Sequence, residues 1–262
     1  MTQDTWAYVT CNAGRVNYSI FDARDRCVAH EGVSLSEFGS SAPEDVFAAL
    51  DVSFVLMDGE FAGPVVTCPA SLASPIEIGR RYARMARFVD QSAPHLWFAH
   101  MAELGAFVAD HAEWDGIVIF AGPVTTWAHV SAGELISFRC SLALKIAYDV
   151  MKDRGFCAPV QIGDQFNAAV NSSLSKPESV FSKLSAAADA QTYLGHVIGA
   201  DLAAFRSYWL GQDIVILGDK NTAGLIEAAL KSQFAVVRHD AQDYFVRGAC
   251  AVHGHVLGNS SK

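Results

Sequence analysis

The feature that most constrains this chain is a unit of strand, glycine-containing turn and strand that occurs twice. The first copy spans residues 6–21 and the second spans residues 116–130. A third apolar segment follows each copy, at 27–33 and at 134–140. A hairpin turn that exposes backbone N–H groups is a site for anions. The repeat therefore predicts two similar lobes, whose hairpins face each other across a cleft and grip the phosphates of a nucleotide.

Length and composition agree with two lobes. The chain has 262 residues and is 51% hydrophobic, which is enough for a sizeable core in each half. The start of the second repeat places the boundary near residue 112. We therefore expect an N-terminal lobe over residues 1–112 and a C-terminal lobe over residues 113–262.

Charge and cysteine usage exclude several classes of function. The net charge of −9 argues against nucleic acid and anionic membranes as partners. No apolar run reaches the length of a membrane span, and the N-terminus lacks the pattern of a signal peptide, so a cytoplasmic protein is predicted. The scattered cysteines contain no Cys-x-x-Cys pair and are interpreted as buried thiols. Since the histidines match no zinc motif, no protein metal site is predicted.

Hydrophobic spacing predicts most of the remaining elements. Residues 75–88 have helical spacing, with arginines on the polar side. Residues 160–183 are polar, and a surface loop is predicted within them over 171–177. A long helix is expected over 186–210, and Gly195 and Gly199 are expected to break it or to relax its geometry. The order strand, glycine turn, helix and strand over 213–238 is a β-α-β unit, whose turn is where nucleotides bind in open α/β sheets.

Several segments of the second half resemble one family of kinases. These are Thr126-Trp-Ala-His with Glu134–Arg139, Tyr193–Asp201 with Arg206, Asp213–Gly218, and Asp240–Ala249. In this order and spacing they resemble the 2-dehydro-3-deoxygalactonokinases. The resemblance implies the actin–hexokinase superfold, an α/β fold whose two lobes each contain a mixed sheet opened by a three-stranded antiparallel meander. It also implies Mg-ATP as cofactor and phosphorylation of the terminal hydroxyl of a 2-keto-3-deoxy sugar acid.

The loops that would bind phosphate depart from the family pattern. The first loop of the family begins with an acid that would hold hydrated Mg²⁺, and Thr10 stands in its place here. In the second loop the family's Gly and Trp are kept, but its His and Lys are not. The residues that would still contact nucleotide are Asn12, Gly14 and Arg15 in the first loop, Gly122 and Thr125 in the second, and Gly218, Asp219 and Thr222 in the third.

Each site residue also has a plainer interpretation. Asp58 ends a predicted strand and is the candidate catalytic base or metal ligand, although an Asp-Gly pair also forms turns. Arg15 could neutralise a phosphate or lie at a surface turn. Residues 219–221 could hold a nucleotide at a helix N-terminus, or Asn221 could simply cap that helix.

Two functions therefore stay open. One is an ATP-dependent sugar-acid kinase that works with altered loops. The other is a catalytically degenerate relative that binds a sugar acid or a protein partner, because fold alone does not carry function. The sequence leaves the oligomeric state open, with a homodimer as one option.

Overall fold

In a computed structural model, the chain divides into two compact units. The structure describes residues 5–12, 15–39, 43–59, 61, 63–72, 77–156, 160–240 and 242–260. The first unit comprises Met1–Trp114, Ala132–Ser137 and Asp243–Lys262, and the second comprises Asp115–Ser131 and Phe138–Gln242. The C-terminal segment thus belongs to the first unit, whereas the sequence analysis assigned it to the second lobe.

The first unit is built on a mixed six-stranded sheet with the order β3-β2-β1-β4-β8-β7. Its first three strands form an antiparallel meander, and β4 and β8 are added in parallel to β1. A three-stranded sheet has the order β10-β9-β5. The elements are β1 (Trp6–Asn12), β2 (Arg15–Phe21), β3 (Cys27–Ser34), α1 (Leu35–Phe38), α2 (Pro43–Leu50), β4 (Phe54–Gly59), β5 (Val65–Thr67), β6 (Ala70–Ser71), β7 (Glu77–Ile78), β8 (Tyr82–Arg84), β9 (Arg87–Asp90), β10 (Ala93–Phe98), α3 (Met101–Asp110) and α10 (Tyr244–Ser260).

The second unit repeats this arrangement. Its strands have the order β15-β14-β11-β12-β13, so the first strand of the meander again pairs in parallel with the strand that follows the helices. The first residues of β13 belong to the first unit and pair there with β6. The elements are β11 (Gly116–Ala121), β12 (Thr125–Ser131), β13 (Glu134–Ser141), α4 (Ala143–Asp153), α5 (Asp164–Ser175), the 3-10 turn Pro177–Ser179, α6 (Val180–Ala186), α7 (Ala190–Ala204), α8 (Arg206–Trp209), β14 (Asp213–Gly218), α9 (Lys220–Lys231) and β15 (Val236–His239).

The predicted fold class is confirmed by this repeated strand order. Each unit has an α/β fold with a mixed sheet, and a three-stranded meander opens that sheet. The five-strand order β3-β2-β1-β4-β8 in the first unit corresponds strand by strand to β13-β12-β11-β14-β15 in the second. The strand, helix and strand predicted near the end of the chain are also present, as β14, α9 and β15.

The helix predicted over residues 75–88 is wrong. The described part of this segment, from residue 77 on, forms β7, β8 and the start of β9. Ala83 is buried between half-exposed neighbours in β8, and this strand pairs with β4, where Val55 lies opposite Tyr82. Pairing with a buried strand overrides the helical spacing of the arginines, which is a tertiary effect that local propensity does not contain.

The surface loop predicted over 171–177 is also wrong, because α5 continues to Ser175 and a 3-10 turn begins at Pro177. Phe166, Val170 and Leu174 are buried on one face of α5, at a spacing of four residues. The polar residues between them lie on the other faces of the helix. The sequence therefore contains an amphipathic helical pattern, but its apolar stripe is short and the segment is polar overall, which favoured a loop in the prediction.

Helix α7 runs unbroken through both of its glycines. A Cβ added at Gly199 would lie 2.2 Å from the Val170 carbonyl oxygen of α5, and one added at Gly195 would lie 2.6 Å from the Phe166 carbonyl oxygen. The two glycines therefore let α5 and α7 approach closely, and they do not interrupt the helix. Around this contact lies the core of the second unit, which also contains Trp127 and Trp209.

Helix α10 packs on one face of the first sheet. The ring of His253 stacks on that of Trp6 with centroids 4.0 Å apart, and Phe245 contacts Tyr8. Asp25 accepts a hydrogen bond from Trp6 Nε1 at 2.9 Å and lies 3.6 Å from His253 Nδ1. Burial lowers the pKa of His253, although the Asp25 carboxylate opposes this shift.

Two remaining expectations concern the membrane and the thiols. Among the described residues, no helix is both long and apolar enough to span a bilayer. The interpretation of the cysteines as buried is only partly correct, because Cys11 and Cys68 are buried whereas Cys27 is exposed and Cys140 and Cys250 are half-buried. Cys157 lies outside the described residues.

The close contact between α5 and α7 predicts that Gly199→Ala destabilises the protein. The added methyl group would meet the Val170 carbonyl, so we expect the free energy of unfolding to fall by about 1–3 kcal/mol. The matched control is Gly105→Ala in α3, where no atom lies within 4 Å of the added Cβ. This control should gain about 0.5–1 kcal/mol from helix propensity. Denaturant unfolding of both variants checks the prediction, and equal effects would contradict it.

The buried His253 predicts a loss of stability on acidification. Its folded-state pKa lies below the usual value of 6.5, so the unfolded chain binds the proton first. The free energy of unfolding should therefore decrease as the pH falls from about 7 to 5. In His253→Gln the free energy of unfolding should decrease less over this pH range than in the wild type. The control His255→Gln changes an exposed residue and should follow the wild type. Thermal unfolding across this pH range measures the difference, and parallel curves for the wild type and His253→Gln would argue against it.

Candidate functional site

In the first unit, the predicted site residues lie where β1 and β4 end. The two strands are parallel, and Thr10 and Cys11 lie opposite Asp58 and Gly59. Asn12 and Arg15 pair at the end of the β1–β2 hairpin. Gly14, which was predicted to contact nucleotide, lies outside the described residues. The described positions thus place the first loop at the carboxyl end of the sheet, where ligands bind in open α/β folds.

Arg15 lies along the neighbouring strand β3. Its Nη2 donates to the Gly32 carbonyl oxygen at 3.4 Å, and its Nε donates to Asn17 Oδ1 at 3.4 Å. Both bonds are long and exposed, so they hold the guanidinium only weakly. A role in binding phosphate stays a prediction for this residue.

Asp58, the predicted catalytic acid, is completely buried at 0% exposure. Its Oδ2 accepts a hydrogen bond of 2.8 Å from the Tyr8 hydroxyl. Burial, followed by the neighbouring Asp58 carboxylate, raises the pKa of Tyr8 well above its usual value. The tyrosine therefore stays protonated and acts as the donor. The catalytic role of Asp58 stays a prediction: its place at the end of β4 favours the role, and its burial opposes it.

In the second unit, the predicted residues lie where β11 and β14 end. Ala121 lies opposite Gly218, and the Asp219 N–H donates to the Ala121 carbonyl oxygen at 2.9 Å. Gly218 has φ +104°, and a Cβ there would be 2.5 Å from that same oxygen. Only glycine fits this position without strain. The turn after β14 is therefore held directly against the end of β11.

The helix that follows this turn is capped by Asp219. The Asp219 carboxylate accepts from the Thr222 N–H at 2.8 Å, so the suggestion that Asn221 is the cap is wrong. Asp219 comes immediately after the glycine with positive φ and has the extended backbone of an N-cap residue. One donor at the start of α9 is thus already used by the protein's own carboxylate.

The second phosphate loop is closed by a hydrogen bond of its own. The Thr125 hydroxyl donates to the Gly122 carbonyl oxygen at 3.2 Å, and Thr125 is buried at the start of β12. This bond fixes the turn between β11 and β12 at the same sheet edge as Gly218. The structure therefore brings the predicted residues Gly122, Thr125, Gly218, Asp219 and Thr222 to one edge of the second unit.

A functional candidate that sequence reasoning did not select also reaches this edge. Asp201 of α7 accepts a hydrogen bond of 2.6 Å from the Ser141 hydroxyl, at the end of β13. Burial raises the pKa of Asp201 to about 6, although the bond from Ser141 lowers it. Perturbed acids of this kind cluster at functional sites. The family resemblance included Asp201 as part of a helix, but only the fold reveals its partial burial and its partner Ser141.

Thr125 and Ser141 lie at the same edge of the sheet, at the start of β12 and at the end of β13. Near this edge Thr126 Oγ1 and Cys140 Sγ are 3.5 Å apart. Thr125 bonds the Gly122 carbonyl oxygen, and Ser141 bonds Asp201. Two hydroxyl groups and one carboxylate therefore lie at the edge where β11, β13 and β14 end.

The side chains described by the structure form no ready-made metal cage. Within the described residues, no group of three or more His, Cys, Asp or Glu side chains is placed to hold a metal ion. A Mg²⁺ ion in a phosphoryl-transfer site is usually held by one or two carboxylates, together with water and substrate phosphates. The chemistry of such a site therefore needs fewer protein ligands than a cage.

Comparison with known proteins finds a matching family model and similar solved structures. The family model described as 2-keto-3-deoxy-galactonokinase matches residues 102–252. The crystal structure of a candidate 2-dehydro-3-deoxygalactonokinase from Sinorhizobium meliloti superposes with a TM-score of 0.72 at 15% identity, covering 96% of this chain and 99% of that one. At this identity the likeness shows the fold. A search among curated proteins finds no match.

Two more distant structures complete the comparison. The activator of the 2-hydroxyisocaproyl-CoA dehydratase from Clostridium difficile, with bound ADPNP, has a TM-score of 0.47 at 12% identity and covers 94% of this chain and 91% of that one. A ROK family protein from Streptococcus pneumoniae, in complex with sucrose, has a TM-score of 0.40 at 13% identity and covers 98% and 99%.

The buried contact between Tyr8 and Asp58 predicts that Tyr8→Phe is destabilising. The change removes a hydrogen bond from a carboxylate that has no access to water, so we expect a loss of about 1–3 kcal/mol. Tyr18→Phe is the matched control, because its hydroxyl bonds Glu31 at the exposed surface and should matter by no more than about 0.5 kcal/mol. Thermal unfolding compares the two variants. If both substitutions lower the unfolding midpoint equally, the buried hydrogen bond from Tyr8 to Asp58 stabilises the protein no more than the exposed bond does.

Proposed function

The chain belongs to the 2-keto-3-deoxy-galactonokinase family, and on that premise we propose that it transfers the γ-phosphoryl group of ATP to the terminal hydroxyl of a 2-keto-3-deoxy sugar acid. The family match over residues 102–252 carries this proposal. It supports a sugar kinase with a small-molecule substrate, and the sugar acid proposed here would be an anion. A cytoplasmic location and a homodimer are further predictions that accompany it.

The nucleotide would be bound chiefly by backbone groups of the second unit. Gly122 and Thr125 form a fixed turn after β11, and Gly218 holds the next turn against it. Asp219 and Thr222 then begin α9, whose N-terminus favours negative charge. In the first unit, Asn12, Gly14 and Arg15 would contribute the phosphate contacts of the β1–β2 hairpin. These roles follow from the place of each loop at the carboxyl ends of parallel strands.

A divalent ion is implied by the reaction. When bound, Mg²⁺ would supply positive charge that stabilises the transferring phosphoryl group. The carboxylate oxygens of Asp201, near the ends of these strands, fit this hard cation. The protein's own contribution is to position phosphate and hydroxyl, since phosphoryl transfer needs little further chemistry from the enzyme.

The proton of the attacking hydroxyl would be accepted by Asp58. Its position at the end of β4, beside Thr10, supports this assignment. A base must come within hydrogen-bond reach of the proton that it removes. In this conformation Tyr8 occupies one carboxylate oxygen, so the assignment requires the contact to open as substrate binds.

A second function is favoured by one specific feature. Thr10 stands where the family resemblance expects an acid, so the first unit lacks that carboxylate at the end of β1. A protein of this kind could bind a sugar acid without transferring phosphate. Binding of the sugar acid in the absence of any nucleotide response would identify this alternative.

Calorimetric titration of Mg-ATP, with and without 2-keto-3-deoxygalactonate, tests the proposed function. Binding of nucleotide that tightens with the sugar acid, followed by ADP release in a coupled assay, is the expected result. A binding signal with the sugar acid alone and none with Mg-ATP would contradict the kinase function. It would support the alternative, a protein that binds the sugar acid without transferring phosphate.

Asp58→Asn tests the proton acceptor. We expect kcat to fall by about 100-fold or more, which is the typical contribution of a general base, while the affinity for Mg-ATP stays unchanged. Tyr8→Phe is the comparison, because it disturbs the same contact but keeps the carboxylate. Full turnover by Asp58→Asn, with only a lower unfolding midpoint, would make Asp58 a structural residue.

A further inference from the structure

We propose that Asp201 is the carboxylate that holds the divalent cation of the bound nucleotide, and that Ser141 positions it. This inference rests on the proposed function, because it names the metal ligand of that same site. It starts from a contact at the edge of the second sheet: the Ser141 hydroxyl donates to Asp201 Oδ1 at 2.6 Å. No position in the metal site was assigned to either residue from the sequence.

The position of the pair comes from the sheet. Ser141 is the last residue of β13, and β11 and β14 end at Ala121 and Gly218 on the same edge. Ligands of open α/β sheets bind at the carboxyl ends of the strands. Asp201 lies on α7, close to the end of that helix, and so it reaches the edge from the layer above the sheet. The pair is therefore placed beside the loops assigned to the phosphates.

Asp201 is a partly buried acid with no positive partner among the described residues. Its carboxylate accepts from the Ser141 hydroxyl, and no Lys, Arg or His side chain of the described residues pairs with it. A carboxylate that has lost part of its contact with water is costly to ionise unless a cation or a proton compensates it. A bound divalent cation would supply that compensation.

Ser141 fixes the direction of the carboxylate. Its hydroxyl donates to Asp201 Oδ1 and at the same time accepts from the Ala143 N–H at 3.1 Å. The donor proton of this hydroxyl is thus committed to one carboxylate oxygen. Partners of this type orient metal ligands and raise their effectiveness. Ser141 is therefore a positioning residue.

Two other acids near strand ends already form hydrogen bonds within the protein. The carboxylate of Asp219 caps α9 through the Thr222 N–H. Asp58 belongs to the first unit and bonds Tyr8. Thr10 occupies the position where an acid was expected, so a cation of the nucleotide needs a carboxylate from elsewhere in the chain. Asp201 supplies one at the phosphate-binding edge of the second unit.

Electron paramagnetic resonance of Mn²⁺ tests this proposal without any need for turnover. The full chain is titrated with Mn²⁺ alone and with Mn²⁺ plus the non-hydrolysable analogue ADPNP, and the free-ion signal is followed. We expect Asp201→Asn to weaken Mn²⁺ binding in the presence of ADPNP by about 100-fold, and Ser141→Ala by about tenfold. Asp149→Asn, an exposed acid on α4, is the matched control and should bind as the wild type does.

The same variants provide a check on folding. Asp201→Asn keeps an oxygen that can accept from Ser141 and removes an uncompensated acid, so its metal-free form should unfold at the same temperature as the wild type or higher. Weaker Mn²⁺ binding by a variant that melts in this way supports the proposal. Unchanged Mn²⁺ binding by Asp201→Asn overturns it.

The outcomes for the two proposals are distinguishable. If the wild type fails to bind ADPNP or ATP, the kinase proposal fails, and the Asp201 inference is then judged on Mn²⁺ alone. Loss of that binding in Asp201→Asn would still support the metal ligand, whereas equal binding by variant and wild type would reject it. If the nucleotide binds and Asp201→Asn leaves the metal dependence unaltered, the kinase proposal stands and the assignment of Asp201 falls.

Discussion

The parallel pairing of β11 with β14 is the constraint on which the candidate site depends. This pairing brings the two strand ends together, so the turns after them lie within hydrogen-bond distance. The Asp219 N–H meets the Ala121 carbonyl oxygen, and Gly218 leaves room for that approach because it has no side chain. Any larger residue at this point would push the two turns apart. The edge that results also holds Thr125 at the start of β12 and Ser141 at the end of β13, where Ser141 bonds Asp201.

The core of the second unit holds this edge in place. Helices α5 and α7 meet backbone to backbone at Gly195 and Gly199, so α7 lies at a fixed depth above the sheet. Its end then carries Asp201 to Ser141. A small shift of α7 would break a hydrogen bond of 2.6 Å and leave the acid without its donor. Tight packing in the interior therefore decides the geometry of a polar contact at the edge.

Both units place an aspartate next to the ends of their strands, Asp58 and Asp201, and each of the two accepts a bond from a hydroxyl group. Tyr8 donates to Asp58 in the first unit, and Ser141 donates to Asp201 in the second. The surroundings differ, because Asp58 lies at the end of a strand and Asp201 lies on a helix. A carboxylate that is withdrawn from water is sensitive to whatever charge approaches it. Such acids suit a site in which phosphate charge and a cation arrive together.

The sequence by itself determined the duplicated meander, the α/β class and the kinase family, because strand periodicity, turn glycines and ordered motifs are local signals. It also placed Gly218 and Thr125 in loops that proved to share one edge. It did not determine the strands β7 and β8, since their pairing with β4 outweighs the helical spacing of their arginines. Nor did it show that Asp58 is buried or that Asp201 meets Ser141, sixty residues away in sequence. Burial and contacts between distant residues arise only when sheet and helices pack, and tertiary structure alone decided them.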